Sequence, residues 1–304
     1  MGSGKDRVDN SAAPRSSDVV RLFVGNEVGN LLHFDPLARE GANPEGVHQL
    51  RVSSRRLRAE LMLMKPVLRP EALTHLLVEL KWLGKTLGRR RDLDVRTSLV
   101  SRVARGFPTW LAAELRAQLD DQARREDEKV QRLLTSDRYQ HLMATLAEAV
   151  VRPPLNAQAS IAAADVLMVG LRDALGALVE GTESFGPKPN FEQLHDIRIL
   201  AKRVRYSAVL AALVFGSPAE ELASSLEKVQ SVLGDLHDRV LVLDYLNQVF
   251  DELQEKGPSA DLKRARASTQ RTFDREIKRL STQWRLPYDE ARRRGMALCR
   301  RDSR

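Results

Sequence analysis

The segment VHQLRVSSRRLR (47–58) has a partner 147 residues later, LHDIRILAKRVRY (194–206). Both follow one frame: apolar, His, any residue, apolar, Arg, apolar, two free positions, two basic residues, apolar, Arg. His48 falls on His195, Arg51 on Arg198, Arg55 on Lys202, Arg56 on Arg203 and Arg58 on Arg205. A second match follows. LGRRRDLDV (87–95) lies over LGDLHDRVL (233–241) at an offset of 146, with Gly88 on Gly234 and Asp92 on Asp238. Two ordered matches at nearly one offset point to a tandem duplication with copies of about 140 residues. The fold must then be assembled from two similar units.

Each unit reads as helical. Leu, Ala, Arg and Glu dominate the composition, and all but Ala among them are only slightly poorer helix formers than Ala itself. Val and Ile seldom alternate with polar residues over a strand's length. The periodicity predicts helices at roughly 17–33, 45–65, 70–87, 91–105, 109–133 and 137–150, then 159–180, 191–214, 218–233, 236–255, 260–282 and 288–300. Between the two sets, RPPLN (152–156) halts the helical run, because consecutive prolines forbid its continuation. The expected fold class is all-α: two pseudo-symmetric bundles of six helices each. The expected division is a disordered lead-in at 1–16, a first bundle at 17–151, a Pro-Pro linker at 152–158, and a second bundle with basic C-terminal helices at 159–304.

The repeated helix carries the chemistry. Successive helical residues turn by about 100°, so with His48 at 0°, Arg51, Arg55 and Arg58 fall within an arc of about 80°. Leu50, Leu57 and Leu61 lie on the opposite side, and Arg56 flanks the stripe. From His48 to Arg58 the stripe is about 15 Å long. Such a row cannot be buried unpaired, since buried like charges are costly. It faces water, carboxylates or an anion. The plain alternative is a solvated face braced by acids such as Asp92 and Asp238. Its recurrence in register in the second copy favours an anion site, and its length suits an extended anion. Arginine supplies planar donor forks for phosphate oxygens and lysine a mobile point charge.

These residues resemble the CHAD family, the conserved histidine α-helical domain. VHQLRVSSRRLR with LGRRRDLDV is similar to its first half, and LHDIRILAKRVRY with LGDLHD to its second. The resemblance runs over nearly the whole chain, roughly residues 17–300. It implies an all-helical fold around a basic central groove or pore, binding of inorganic polyphosphate, and association with polyphosphate granules. Many such domains are joined to a CYTH triphosphatase; this chain looks like the stand-alone form. By position the motif assigns ligand contact to His48, Arg51, Arg55, Arg56 and Arg58, and to His195, Arg198, Lys202, Arg203 and Arg205. Lys81 and Lys85, on the helix leading to the first LG, are added, with Lys228 as the nearest counterpart. Asp235, Leu236 and His237 stand where the first copy has Arg89, Arg90 and Arg91. That departure weakens the case for symmetric binding at the LG segments.

Charge placement raises competing readings. Residues 261–304 hold 14 Lys/Arg against 6 Asp/Glu, which accounts for the whole net charge of +8. A non-specific nucleic-acid partner for these C-terminal helices is the alternative, although the stripes lack interleaved aromatics for base stacking. A metal-dependent polyphosphate hydrolase is a third reading. It lacks a GxxxxGK[ST] loop and a convincing carboxylate cluster. The expectation is therefore a non-catalytic module with no metal and no cofactor. Cys299, the only cysteine, excludes an internal disulfide and fits a reducing compartment. No secretory signal and no membrane-length apolar run are evident. A cytoplasmic protein with no membrane partner is expected; its oligomeric state is not encoded legibly.

Overall fold

The computed structural model describes residues 13–40, 43–255, 257 and 259–301. Most of the lead-in expected at 1–16 lies outside them. The described residues form ten α-helices and two short 3-10 turns, in the order α1 (Ser16–Arg39), α2 (Pro44–Leu63), α3 (Pro70–Ala104), α4 (Thr109–Leu134), α5 (Asp137–Val151), α6 (Ala163–Ser184), α7 (Phe191–Phe215), α8 (Ser217–Glu255), α9 (Ala260–Gln283) and α10 (Arg285–Arg301). Among them there is no extended strand. Two isolated bridges, Arg15 with Ala162 and Leu68 with Leu155, are the only β-type pairings. The fold is all-α, with five helices on either side of residue 152 rather than six.

The missing helices were absorbed into longer ones. Residues 70–87 and 91–105 are one helix, α3, and 218–233 and 236–255 are one helix, α8. A mid-helix glycine costs about 1 kcal/mol relative to alanine. Here Gly88 and Gly234 are flanked by buried Leu83, Leu87 and Leu93, and by buried Val229, Leu233 and Leu236. Each fully buried leucine contributes about 1.5–3 kcal/mol, so the helix runs through. Helix α1 likewise continues past Pro36 to Arg39, where Ala38 is buried and Asp35 accepts from both Arg39 and Tyr139.

Both repeated segments begin at an asparagine cap. The Asn43 side chain accepts from the backbone N–H of Glu45 at 3.0 Å, with Pro44 opening α2. Asn190 and Gln193 form a reciprocal pair at the start of α7, at 2.9 and 2.8 Å. These caps satisfy N–H groups that a helix start leaves without partners. They fix where α2 and α7 begin, and so which way their stripes face.

Three cores hold the molecule. The first is built by α1, α2, α5, the opening of α3 and the end of α4, with Leu167 of α6 and Leu210 of α7. The second joins α6, α7, α10 and the opening of α8. A third lies at the far ends of the long helices and draws on both halves. Leu93 and Val100 of α3 and Leu111, Leu115 and Leu119 of α4 meet Val242, Leu246, Val249 and Phe250 of α8, and Leu262 and Phe273 of α9. Nearer the centre, α2 touches α7 and α3 touches α8. The Pro-Pro segment is stitched down: Asn156 donates to the carbonyls of Pro66 and Leu68, and the Arg69 N–H to that of Pro154. No helix among the described residues is long and apolar enough to cross a membrane.

Candidate functional site

The site grows from α2 and α7, which touch, and from α3 and α8 behind them. Arg51 and Arg198 lie against the long helices at Gly88 and Gly234, where a small side chain would be in ordinary contact with each guanidinium. A Cβ on Gly88 would stand 3.5 Å from Arg51 Nε, and one on Gly234 would stand 3.8 Å from Arg198 Nε. Arg51 then meets the aspartate one turn further on, and Arg198 has Asp238 as its main opposing charge. Arg51 is 3.7 Å from Asp92, with 23% of its side chain exposed. Arg198 interacts with Asp238. Thus LGxxxD is a seat for an arginine from the neighbouring helix.

The two halves meet at Arg55, Tyr206 and Lys202. The Arg55 guanidinium lies 6.0 Å from the centre of the Tyr206 ring, across the α2–α7 contact. Lys202 is pushed down to about 7, first by burial and then by Arg198 on its own helix and by Arg55 and Arg51 from the other half; Asp238 opposes them. Burial lowers Arg51, with Arg55 next in effect. Burial also lowers Arg198, where Asp238 opposes it and Arg55 adds to it. Four cations from two distant stretches of chain therefore share one partly buried cluster, with Asp92 and Asp238 as the opposing carboxylates. Nε of Arg55 and of Arg198 is buried without a hydrogen-bond partner among the described residues. A buried donor left unmade costs about 1–3 kcal/mol, more when charged. An anion with several oxygens would supply acceptors and offset the mutual repulsion.

The histidines edge the cluster unequally. His48, lowered by burial and then by Arg91, belongs to the first half. In the second half His195 and His237 are 4.8 Å apart, and Phe191 stacks on His237 at 5.6 Å. His237 is pushed down to about 4 by burial, then by Arg198, His195 and Lys202. It is neutral at ordinary pH. Nδ1 of all three rings is buried and unpartnered among the described residues.

The other residues expected at the site are placed differently. Arg56 turns to α1, 3.9 Å from buried Glu27. Arg203 is exposed, about 140° around α7 from Arg198. Arg205 is held by Glu227 at 2.6 Å and Gln230 at 3.4 Å. Lys228 is exposed, about 120° around α8 from Gly234. Lys81 and Lys85 are exposed on the Gly88–Asp92 side of α3, and Arg58 is exposed two turns beyond Arg51. The structure thus brings together His48, Arg51, Arg55, His195, Arg198 and Lys202, and sets Arg56, Arg203, Arg205 and Lys228 apart from them. Arg91, Tyr206 and Phe191 join the cluster without having been chosen from sequence. Arg91 and Tyr206 were legible as the end of LGRRR and the last letter of KRVRY. The Arg90 beside Arg91 is structural, gripped by Asp94 and by Asp127 of α4.

Comparison with known proteins gives concordant results. The family model described as CHAD domain matches residues 24–247. An uncharacterized protein of Mycobacterium tuberculosis, present in two strains, is 29% identical over 241 residues, covering 76% of this chain and 45% of its own. The chain thus spans less than half the length of the curated relatives it matches. Among solved structures, PptA from Streptomyces chartreusis superposes with a TM-score of 0.69 at 19% identity, covering 91% of this chain and 99% of that one. The CHAD domain from the plant Ricinus communis gives 0.64 at 24% identity, covering 93% and 98%. At these identities the two structures speak for the fold.

Proposed function

Because this chain belongs to the CHAD domain family, we propose that the cluster between α2 and α7 binds inorganic polyphosphate and does no chemistry on it. The observation that supports this reading most directly is the convergence of Arg51, Arg55, Arg198 and Lys202, with Asp92 and Asp238 as the carboxylates that oppose them. A chain of linked phosphates presents a row of oxygens to both stripes at once. Arginine forks bind those oxygens in pairs. One small phosphate would leave most of a row about 15 Å long unused. Asp92 and Asp238 oppose Arg51 and Arg198 and serve in this reading as charge balance and orientation. Residence in the cytoplasm, on polyphosphate granules, is part of the same proposal.

The test is polyphosphate binding by the variant R51E/R55E/R198E/K202E. Binding is expected to vanish while helicity persists, since these side chains edge the cores without filling them. Wild-type affinity in the variant overturns the assignment. Binding by the wild type should also weaken steeply with salt, as expected when many cationic contacts release counterions.

A further inference from the structure

A second cationic surface lies on α9, away from the α2–α7 cluster. The inner face of α9 buries Leu262, Ala265, Thr269, Phe273 and Leu280. Arg271, Arg275, Lys278 and Arg279 are all exposed. On the helix they fall within about 100° of arc and about 12 Å of length. None of the four has a carboxylate partner among the described residues; Arg275 donates Nε to the Arg271 carbonyl at 3.1 Å. Two of the three acids of α9 are held by other arginines, and the third, Asp274, is exposed at the edge of this face and takes a hydrogen bond from a neutral glutamine. Glu276 accepts from Arg239 at 2.5 Å and from Arg102 at 3.1 Å, Asp261 from Arg264 at 2.5 Å, and Asp274 from Gln270 at 2.9 Å.

Helix α4 provides an internal control. It packs on α3 as α9 packs on α8. A buried arginine clamps each pair, Arg90 to Asp127 and Arg239 to Glu276. Yet α4 carries five Lys/Arg against six Asp/Glu, whereas α9 carries seven against three. Four of the five cations of α4 are paired, Arg124 and Arg125 with Asp121, Lys129 with Glu126 and Arg132 with Glu128; Arg116 alone is exposed without a carboxylate partner among the described residues. Solubility is served by the α4 pattern and gives no reason for the α9 one.

We propose that the outer face of α9, through Arg271, Arg275, Lys278 and Arg279, docks the phosphate backbone of double-stranded nucleic acid without reading its sequence. The face is one convex helix, open to a wide rigid polyanion, whereas the cations of the α2–α7 cluster are partly buried between helices. The four cations carry no aromatic among them, so stacking of single-stranded bases has no platform. A duplex carries one charge per about 1.7 Å of axis, so about 12 Å of it offers some seven phosphates to the four cations. Phosphate contacts alone give position without specificity.

The experiment measures binding of a labelled duplex at low salt by fluorescence anisotropy, beside polyphosphate binding, for four proteins. These are the wild type, R271Q/R275Q/K278Q/R279Q on α9, R124Q/R125Q/K129Q/R132Q on α4, and R55Q/R198Q in the cluster. The α9 variant is expected to bind duplex about tenfold or more weakly, with a salt slope shallower by about 3, and to keep wild-type polyphosphate affinity. The α4 variant, with the same loss of charge, should bind duplex within about twofold of the wild type, as should the cluster variant. The proposal is overturned if the wild type binds no duplex, if the α4 variant loses as much as the α9 variant, or if duplex binding is lost with the cluster instead. Loss of polyphosphate binding in the α9 variant would make this face a polyphosphate surface and would equally overturn it.

Discussion

Lys202 is the residue whose charge the site itself controls. Its folded pKa of about 7 lies below the ordinary lysine value of 10.5, so the unfolded chain binds more protons between those two pH values. Stability is then penalised in full below pH 7 and recovers as pH rises from about 7 towards 10.5. A polyanion reverses the local field and restores the charge, so binding above pH 7 takes up a proton. Polyphosphate affinity is expected to fall as pH rises from 7 to 9, and Lys202→Arg to flatten that profile. Calorimetry in buffers of different ionisation enthalpy checks the uptake directly; equal heats in all buffers would contradict it. Glu60 behaves oppositely. Burial and then Glu27 raise it to about 8, against Arg56, so its contribution is intact below pH 4.5 and is lost as pH climbs through 8. Glu60→Gln should therefore raise the melting temperature at pH 9 and change it little at pH 5. This pair also explains Arg56. From sequence it flanked the stripe and took ligand contact from the motif, because the acid that claims it, Glu27, sits on another helix and leaves no trace there.

At the scale of the helix, glycines separate what was legible from what was not. Gly88 and Gly234 stood out as matched partners of Asp92 and Asp238, and each fell in the gap between two expected helices, where the sequence leaves open whether the helix ends. Packing decides it, since leucines on both sides of each glycine are buried in a continuous helix. Space for a Cβ at Gly88 is ordinary contact. Gly88→Ala should therefore be neutral or stabilising by up to about 1 kcal/mol, whereas Gly88→Leu should dislodge Arg51 and weaken anion binding with little loss of helicity. Gly46 is different. A Cβ there would lie 2.5 Å from the Ala38 backbone nitrogen, and backbone cannot step aside as a side chain can. Gly46→Ala is expected to destabilise by about 1–3 kcal/mol, read as a lower denaturation midpoint. Nothing in the sequence around Gly46 marks this close approach of α2 to the end of α1.

For the whole molecule, the periodicity announced helices and the matched motifs led us to expect two separate bundles, but not that the two halves share a core. Leu93, Leu111, Leu246 and Phe250 read as the interior of two separate bundles; only the assembled chain puts them together. Phe250→Ala should cost about 3–5 kcal/mol and should lower the stability of both halves together, seen as one displaced transition in far-UV dichroism and tryptophan fluorescence alike. Two separate transitions would mean the third core couples the halves weakly. That core also sets a timetable at the ribosome. Leu93, Val100, Leu111, Leu115 and Leu119 emerge about 120–180 residues before their cover at 242–273, a delay of roughly 6–36 s at ordinary translation speeds. For that interval the nascent chain carries a bare leucine edge, and its safe passage depends on chaperones or on the pace of synthesis as much as on its final stability.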